Sequence, residues 1–262
     1  MRFAPALGLL AGVALLGATG LAAHHAEGGD RRELLVDEVV PVVAVPAPSP
    51  AVSAPKPAGQ VRVRTGQPRA RSLGSRAAAA VDPRWARRTA VSSGIPLPAL
   101  TAYARASVLA PRGCRIGWTT LAGVGWIESQ HGTIGDRRLR RDGQSSVPIL
   151  GPALDGSGEF AAIEATRDSA RWHGDRDWDH AVGPMQFIPS TWRTWQVDGD
   201  GDGVADPNDV DDAALAAARY LCQSGDLMLG DTWSQAILSY NHSTDYVLDV
   251  YAAADTYAER TG

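Results

Sequence analysis

One glutamate, Glu128, stands at the end of an apolar run in which Leu121, Val124 and Ile127 recur at helical spacing, with Gly132 just beyond it. The pattern predicts a buried helix that carries Glu128 near its C-terminus and stops where a left-handed residue is cheap. A carboxyl group in that position loses hydration, which raises its pKa and lets it act as a general acid near neutral pH. Helix-end glutamates are more often structural and paired with an arginine. Glu128 taken alone therefore leaves both readings open.

A second stretch follows, Gly183-Pro184-Met185-Gln186-Phe187-Ile188-Pro189-Ser190-Thr191-Trp192. Met185, Phe187 and Ile188 are core residues on any reading. The Gln186 amide, set among apolar neighbours, must find partners; they come either from the protein interior or from the N-acetyl and hydroxyl groups of a sugar. The helix starting after Pro189 has Ser190 or Thr191 as its expected cap. Further on stands Ser239-Tyr240-Asn241.

Gly-Trp-Ile-Glu-Ser around Glu128, then Gly-Pro-Met-Gln-Phe-Ile-Pro, then Tyr240-Asn241 is an order that resembles the lytic transglycosylases of the membrane-bound B type. The resemblance covers roughly residues 92 to 258. It implies a mainly α, lysozyme-like (α+β) domain that cleaves peptidoglycan between N-acetylmuramic acid and N-acetylglucosamine and leaves a 1,6-anhydromuramoyl end. Glu128 would be acid and then base. Ser129, Gln186, Phe187, Tyr240, Asn241 and Tyr246 would line the cleft, with Tyr240 hydrogen-bonding near the reacting centre. Glycosidases ordinarily need two carboxylates at a set separation. The sequence places no second glutamate beside Glu128, although Asp168, Asp175 or Asp177 can fold close. A hydrolytic muramidase and a non-catalytic wall-binding module are the alternatives. A serine or cysteine hydrolase is disfavoured, because Gly-x-Ser-x-Gly is absent.

Asp198, Asp200, Asp202, Asp206 and Asp209 occupy positions 1, 3, 5, 9 and 12 of a twelve-residue loop, with Gly203 at position 6 and the Val204 carbonyl at position 7. Those are the ligand positions of an EF-hand. So many like charges repel unless a cation is bound, and the loop is expected to hold a structural calcium ion. Its last position is Asp rather than the longer Glu, and a solvated acidic turn is the alternative. No organic cofactor is expected.

The formal net charge of −4 hides an asymmetry: residues 1–88 carry 12 Lys/Arg against 6 Asp/Glu, leaving 13 against 23 in the remainder. An acidic domain without a basic stripe is a poor partner for nucleic acid. The only cysteines, Cys114 and Cys222, cannot complete a zinc set and read as one disulfide in an exported chain.

Export is expected from residues 1–26, an uncharged apolar run from Phe3 to Ala23 that serves as a signal peptide or, uncleaved, as an N-terminal membrane anchor. Residues 27–91 read as a disordered Pro/Ala/Arg-rich linker, and residues 92–262 as the catalytic domain. Within it, residues 133–180 show little periodicity and read as a long substrate-facing loop. A secreted or anchored monomer outside the cytoplasm, acting on peptidoglycan glycan strands, is the resulting expectation.

Overall fold

The computed structural model describes residues 55–56, 59–63, 81–158 and 160–262. The expected signal or anchor and most of the expected linker lie outside them. Among the described residues no helix is long and apolar enough to cross a membrane. The architecture is mainly α with one small two-stranded sheet, the class expected from the sequence.

The domain begins earlier than position 92. Helix α1 spans Pro83–Ser93, inside the stretch read as linker. Its signals are local: Asp82 Oδ1 accepts from the backbone N–H of Arg84 and Trp85 at 2.7 and 3.0 Å, Pro83 occupies the first turn and Gly94 closes the helix in a left-handed conformation. Its three arginines, Arg84, Arg87 and Arg88, made the segment look solvated. Trp85, Ala86, Thr89 and Ser93 nevertheless form one buried stripe. Helix α2 (Leu97–Leu109) follows, with Pro98 in its first turn.

Helix α3 (Trp118–Ser129) is the centre of the fold. Every residue from Trp118 to Gly125 is buried, so α3 has no solvent stripe and must be enclosed on all sides. It packs against α2 and against the last helix, α8 (Thr244–Thr261). The alanine-rich α6 (Val210–Leu221) covers α2, while α7 (Gly230–Tyr240) is pinned to α3 by the Trp233 indole N–H, which donates to Thr120 Oγ1 at 3.1 Å.

The disulfide Cys114–Cys222 joins the approach to α3 with the end of α6, Cα to Cα 5.3 Å across 108 residues of chain. Closing a loop of that length stabilises by about 4–5 kcal/mol in the chain-entropy account. The same seam carries the Arg115–Asp226 ion pair and a backbone hydrogen bond from Leu227 to Cys114.

Residues 133–180 are not one long loop. They contain strand β1 (Leu150–Ala153) and a one-turn helix α4 (Ala170–His173), and they lead into β2 (His180–Val182), which pairs antiparallel with β1. Period-2 patterning cannot be read from strands of four and three residues. Helix α5 (Pro189–Trp195) then starts with Ile188 as cap residue and no side-chain cap, so Ser190 and Thr191 fall inside the helix rather than at its cap.

Gly125 lets α2 and α3 approach. A Cβ there would overlap the hydroxyl of the buried Tyr103 and lie 3.3 Å from the Met185 sulfur. Gly→Ala inside a helix ordinarily stabilises by about 1 kcal/mol. Gly125→Ala should instead destabilise by roughly 1–3 kcal/mol, the usual cost of overpacking a filled core. Urea unfolding measures this, and a midpoint at or above that of the wild type would mean that the α2–α3 contact has slack.

Candidate active site

The end of α3 is held by backbone geometry that the sequence reading placed two residues too late. Gln130 and His131 already adopt left-handed φ of 53° and 62°, ahead of Gly132 at 81°. Gln130 N–H donates to Trp126 O at 2.9 Å and His131 N–H to Gly125 O at 2.7 Å. Non-glycine residues seldom hold such φ values unless tertiary contacts compensate. His131 supplies those contacts: it is 2% exposed, with Nδ1 3.2 Å from the Tyr103 hydroxyl and Nε2 2.8 Å from the Tyr257 hydroxyl. Burial lowers its pKa to about 3, so the ring is neutral at ordinary pH.

Ser129 belongs to the same lock and not to the cleft. It is fully buried; its hydroxyl donates to Pro184 O at 2.6 Å and accepts from Gly132 N–H at 2.8 Å. Fully enclosed and absent from the cleft lining, it offers no surface to substrate, which corrects its assignment as a cleft residue. Instead it ties the end of α3 to the Gly183-Pro184 turn. That turn needs Gly183, whose φ is 79° and where a Cβ would overlap the Pro207 carbonyl. Val182 and Phe187 close it with reciprocal backbone hydrogen bonds of 2.9 and 3.0 Å.

Glu128, one residue before Ser129, is half-buried at the cleft. The Tyr246 hydroxyl, from the first turn of α8, donates to its Oε1 at 2.5 Å. Burial pushes the Glu128 carboxyl up to about 7, and the hydrogen bond from Tyr246 opposes part of that rise. Near neutral pH both protonation states are populated, which is what a group alternating between acid and base requires.

The cleft has a volume of about 270 Å³. Pro152, Leu154, Phe160 and Ile163 wall one side, Gln186, Phe187 and the Ser190-Thr191 turn of α5 another, and Ser239 to His242 a third. Residues of the 133–180 region therefore do face the cleft, as an apolar wall carried on β1 and the chain after it. Gln186 is half-buried, and its Nε2 donates to Gly183 O at 2.9 Å, so the protein satisfies part of the amide while its side chain still lines the cleft. Phe187 packs edge-on against Trp192 and Tyr240. The Tyr240 hydroxyl donates to Met185 O at 2.7 Å. Its ring lines the cleft, but its hydrogen bond braces the 183–187 turn. Asn241 caps α7 and also lines the cleft.

None of the three aspartates considered as a second carboxylate lines the cleft. Asp168 lies beside Arg171 on the surface, and Asp175 accepts backbone N–H from Asp177 and Trp178 and faces His180 Nε2 at 3.1 Å. Backbone hydrogen bonding holds Asp175 down at about 2. Asp177 is outside the lining as well. Among the described residues Glu128 is the only carboxylate in the cleft wall.

The acidic loop between α5 and α6 departs from the twelve-residue expectation. Asp198, Asp200 and Asp212 each bring a carboxylate oxygen within 4.8 Å of the others. Asp209 does not join them: it caps α6 through Asp211 N–H at 2.7 Å and accepts from Gln144 Nε2 at 3.3 Å. The first turn of α6 carries Asp212, three residues on, back over the loop, where it is 2% exposed and accepts from Gly199 and Asp206 N–H at 2.6 and 2.8 Å. Asp202 and Asp206 turn onto the backbone N–H groups of Val204 and Asn208, and Val204 is exposed at the loop tip. Burial pushes Asp212 up to about 7. A cluster of hard oxygen donors with one buried member, Asp212, and two open toward solvent fits a calcium ion, and Asp198, Asp200 and Asp212 are the residues that would hold it.

Residues 167–235 match the family model described as the transglycosylase SLT domain. The matched segment includes the Gln186-Phe187 wall and the Asp198–Asp212 cluster, whereas Glu128 and Tyr246 lie outside it. Among solved structures, the chain is similar to an Escherichia coli lytic transglycosylase in complex with bulgecin A, at 16% identity over 68% of this chain and 75% of that one, TM-score 0.42. The corresponding structure in complex with calcium gives the same values. SltB3 from Pseudomonas aeruginosa in complex with NAG-anhNAM-pentapeptide is 18% identical over 67% and 64% of the two chains, TM-score 0.38. At TM-scores below 0.5 these likenesses carry no weight beside the family match. The chain matches none of the curated proteins in sequence. The mainly helical fold with its small sheet is of the class expected from the sequence.

The raised pKa of Glu128 makes a stability prediction independent of activity. Between the usual carboxylate value of 4.5 and about 7 the folded state holds a proton that the unfolded state has released, so stability falls as pH rises through that window and levels off above it. Glu128→Gln removes the titration. The variant should gain on the order of 2–3 kcal/mol over the wild type at pH 8, shrinking toward pH 4. Denaturant unfolding at the two pH values checks this, and a pH-independent difference would place Glu128 in a solvated setting.

Proposed function

We propose that the protein is a peptidoglycan lytic transglycosylase in which Glu128 acts first as acid and then as base. The observation carrying the proposal is a lone cleft carboxyl, held up at about 7 and hydrogen-bonded by Tyr246, beside a matched transglycosylase domain.

Protonated Glu128 donates to the glycosidic oxygen between N-acetylmuramic acid and N-acetylglucosamine, and the bond to C1 of the muramoyl residue breaks. The carboxylate so formed takes the proton from the muramoyl C6 hydroxyl as that oxygen bonds to C1, which closes the 1,6-anhydro ring and restores the acid. Hydrolytic pairs stand about 5–5.5 Å apart in retaining enzymes and about 6.5–9.5 Å in inverting ones. The cleft offers no second carboxylate among the described residues, so positive charge at C1 falls to the substrate's own N-acetyl group. Tyr246 holds the Glu128 carboxyl in one orientation through both proton transfers. Phe187 and Tyr240 present ring faces to the sugars, and Gln186 and Asn241 present amides.

The disulfide supports work outside the cytoplasm, where such bonds persist. The chain would be exported, secreted or held by its amino-terminal apolar run, and would act on glycan strands as a monomer. In the acidic loop, Asp198, Asp200 and Asp212 would hold calcium as a structural ion that neutralises their repulsion and fixes the link from α5 to α6.

Digestion of purified peptidoglycan should release muropeptides one water lighter than reducing-end products, as mass analysis reads directly. Reducing muramic ends as the main product would make the enzyme a hydrolytic muramidase. Glu128→Gln should lower turnover by about 10²–10⁴-fold with the fold intact, and wild-type turnover should decline above pH 7 as Glu128 loses its proton.

Calcium should stabilise the fold by about 2.7 kcal/mol at a hundredfold excess over Kd, and the melting temperature should rise with its concentration. Asp212→Ala should abolish that rise, whereas Asp209→Asn should keep it. Retention of the calcium effect in Asp212→Ala would return the site to the twelve-residue loop.

A further inference from the structure

Outside the cleft and the acidic loop, the most unusual surface of the molecule is the outer face of α1. Arg84, Arg87, Arg88 and Val91 follow one another at helical spacing and are all exposed, opposite the buried stripe of Trp85, Ala86, Thr89 and Ser93. Val91 is 84% exposed, the most exposed of the large apolar residues. Residues 59–63 run alongside, with Arg62 O accepting from Asp82 N–H at 2.7 Å and Val63 bridged to Val81. Arg62 is exposed as well, and with Arg88 and Trp85 it lines an open groove of about 470 Å³.

None of the four arginines is paired with a carboxylate among the described residues. Asp82, at the start of the helix, has its carboxylate turned onto the backbone of Arg84 and Trp85. Four guanidiniums without an ion-pair partner among the described residues repel one another, and of them Arg88 and Arg62 are near enough to Asp82 to favour its charge. They do not touch the cleft or the acidic cluster.

We propose that this face docks the folded domain onto an anionic lipid surface. The stripe is laid along one side of a helix, with its cations and one exposed valine presented together to a plane, and the groove beside it admits a headgroup. Guanidinium is suited to that contact because its planar fork meets phosphate oxygens in pairs. Residues 59–63 lie on the side of the domain that α1 occupies. The rest of the chain beyond residue 88 has 13 basic against 23 acidic residues, which an anionic surface repels. The chain is thus electrically polarised, with its excess of basic residues at the α1 end. The inference does not rest on the catalytic reading.

The test uses the full chain and sedimentation with two kinds of vesicle, phosphatidylcholine alone and phosphatidylcholine containing about 30 mol% phosphatidylglycerol. The apolar run binds both kinds alike, so the ratio of the two affinities reads charge. Each arginine near an anionic surface strengthens binding about fivefold. The wild type should therefore prefer anionic vesicles by about a hundredfold or more, and the preference should collapse when salt is raised to about 0.5 M. The triple variant Arg84→Gln, Arg87→Gln, Arg88→Gln should lose most of that preference while keeping its melting temperature. A control removing the same charge elsewhere, Arg138→Gln, Arg140→Gln, Arg141→Gln, should keep it. Equal losses in the two variants would show that net charge and not this face is responsible. Binding to soluble polyphosphate with no preference for anionic vesicles would mean that the face takes a polymer. Either result overturns the proposal.

Discussion

Ionising a carboxyl group enclosed by protein costs free energy that water would otherwise supply, and the arrangement around Glu128 sets how large that cost is. Helix α3 is buried from Trp118 to Gly125, and its last turn brings Glu128 to the cleft partly desolvated. Left to burial alone, the carboxyl would be held protonated over a still wider range. The hydrogen bond from Tyr246 offsets part of the penalty. A group poised in this way can give up a proton and take one back without a second carboxylate, provided its position does not drift.

Position is secured by contacts that never touch substrate. Ser129 spends its hydroxyl on Pro184 and Gly132, and His131, neutral and buried, bridges Tyr103 of α2 to Tyr257 of α8. Both residues lie within the turn that ends α3, and both couple it to neighbouring elements. Tyr240 does the same for the opposite wall by hydrogen-bonding Met185. The residues nearest the proposed chemistry therefore divide into one that reacts, one that holds it through a hydrogen bond, and several that keep backbone turns in sparsely populated conformations.

Longer-range clamps act on whole elements. The disulfide and the Arg115–Asp226 pair hold the approach to α3 against the end of α6, while the Asp198, Asp200 and Asp212 cluster gathers the chain between α5 and α6. The two differ in what they oppose. The disulfide restricts the unfolded chain. The acidic cluster concentrates repulsion in the folded one, which is why a cation is the natural complement to its geometry.

Local patterns were enough for much of this. The helical spacing ahead of Glu128 predicted a buried helix with a carboxyl at its end, and the two cysteines predicted their bridge. Asp82-Pro83 and Gly94 were equally legible as the ends of α1, but a run of arginines masked them, because composition averages over a helix whose two faces differ. What only the tertiary structure decided depends on residues distant in sequence. Whether Ser129 faces sugar or protein turns on where Pro184 falls. His131 has meaning only once Tyr103 and Tyr257 are beside it. Asp212 replaces Asp209 because the N-cap of α6 claims one carboxylate and the first helical turn returns another. The apolar cleft wall at Leu154, Phe160 and Ile163 hangs on a sheet too short to leave a period in the sequence. A sequence fixes the preferences of each segment, whereas the partner available to a buried polar group is set by packing.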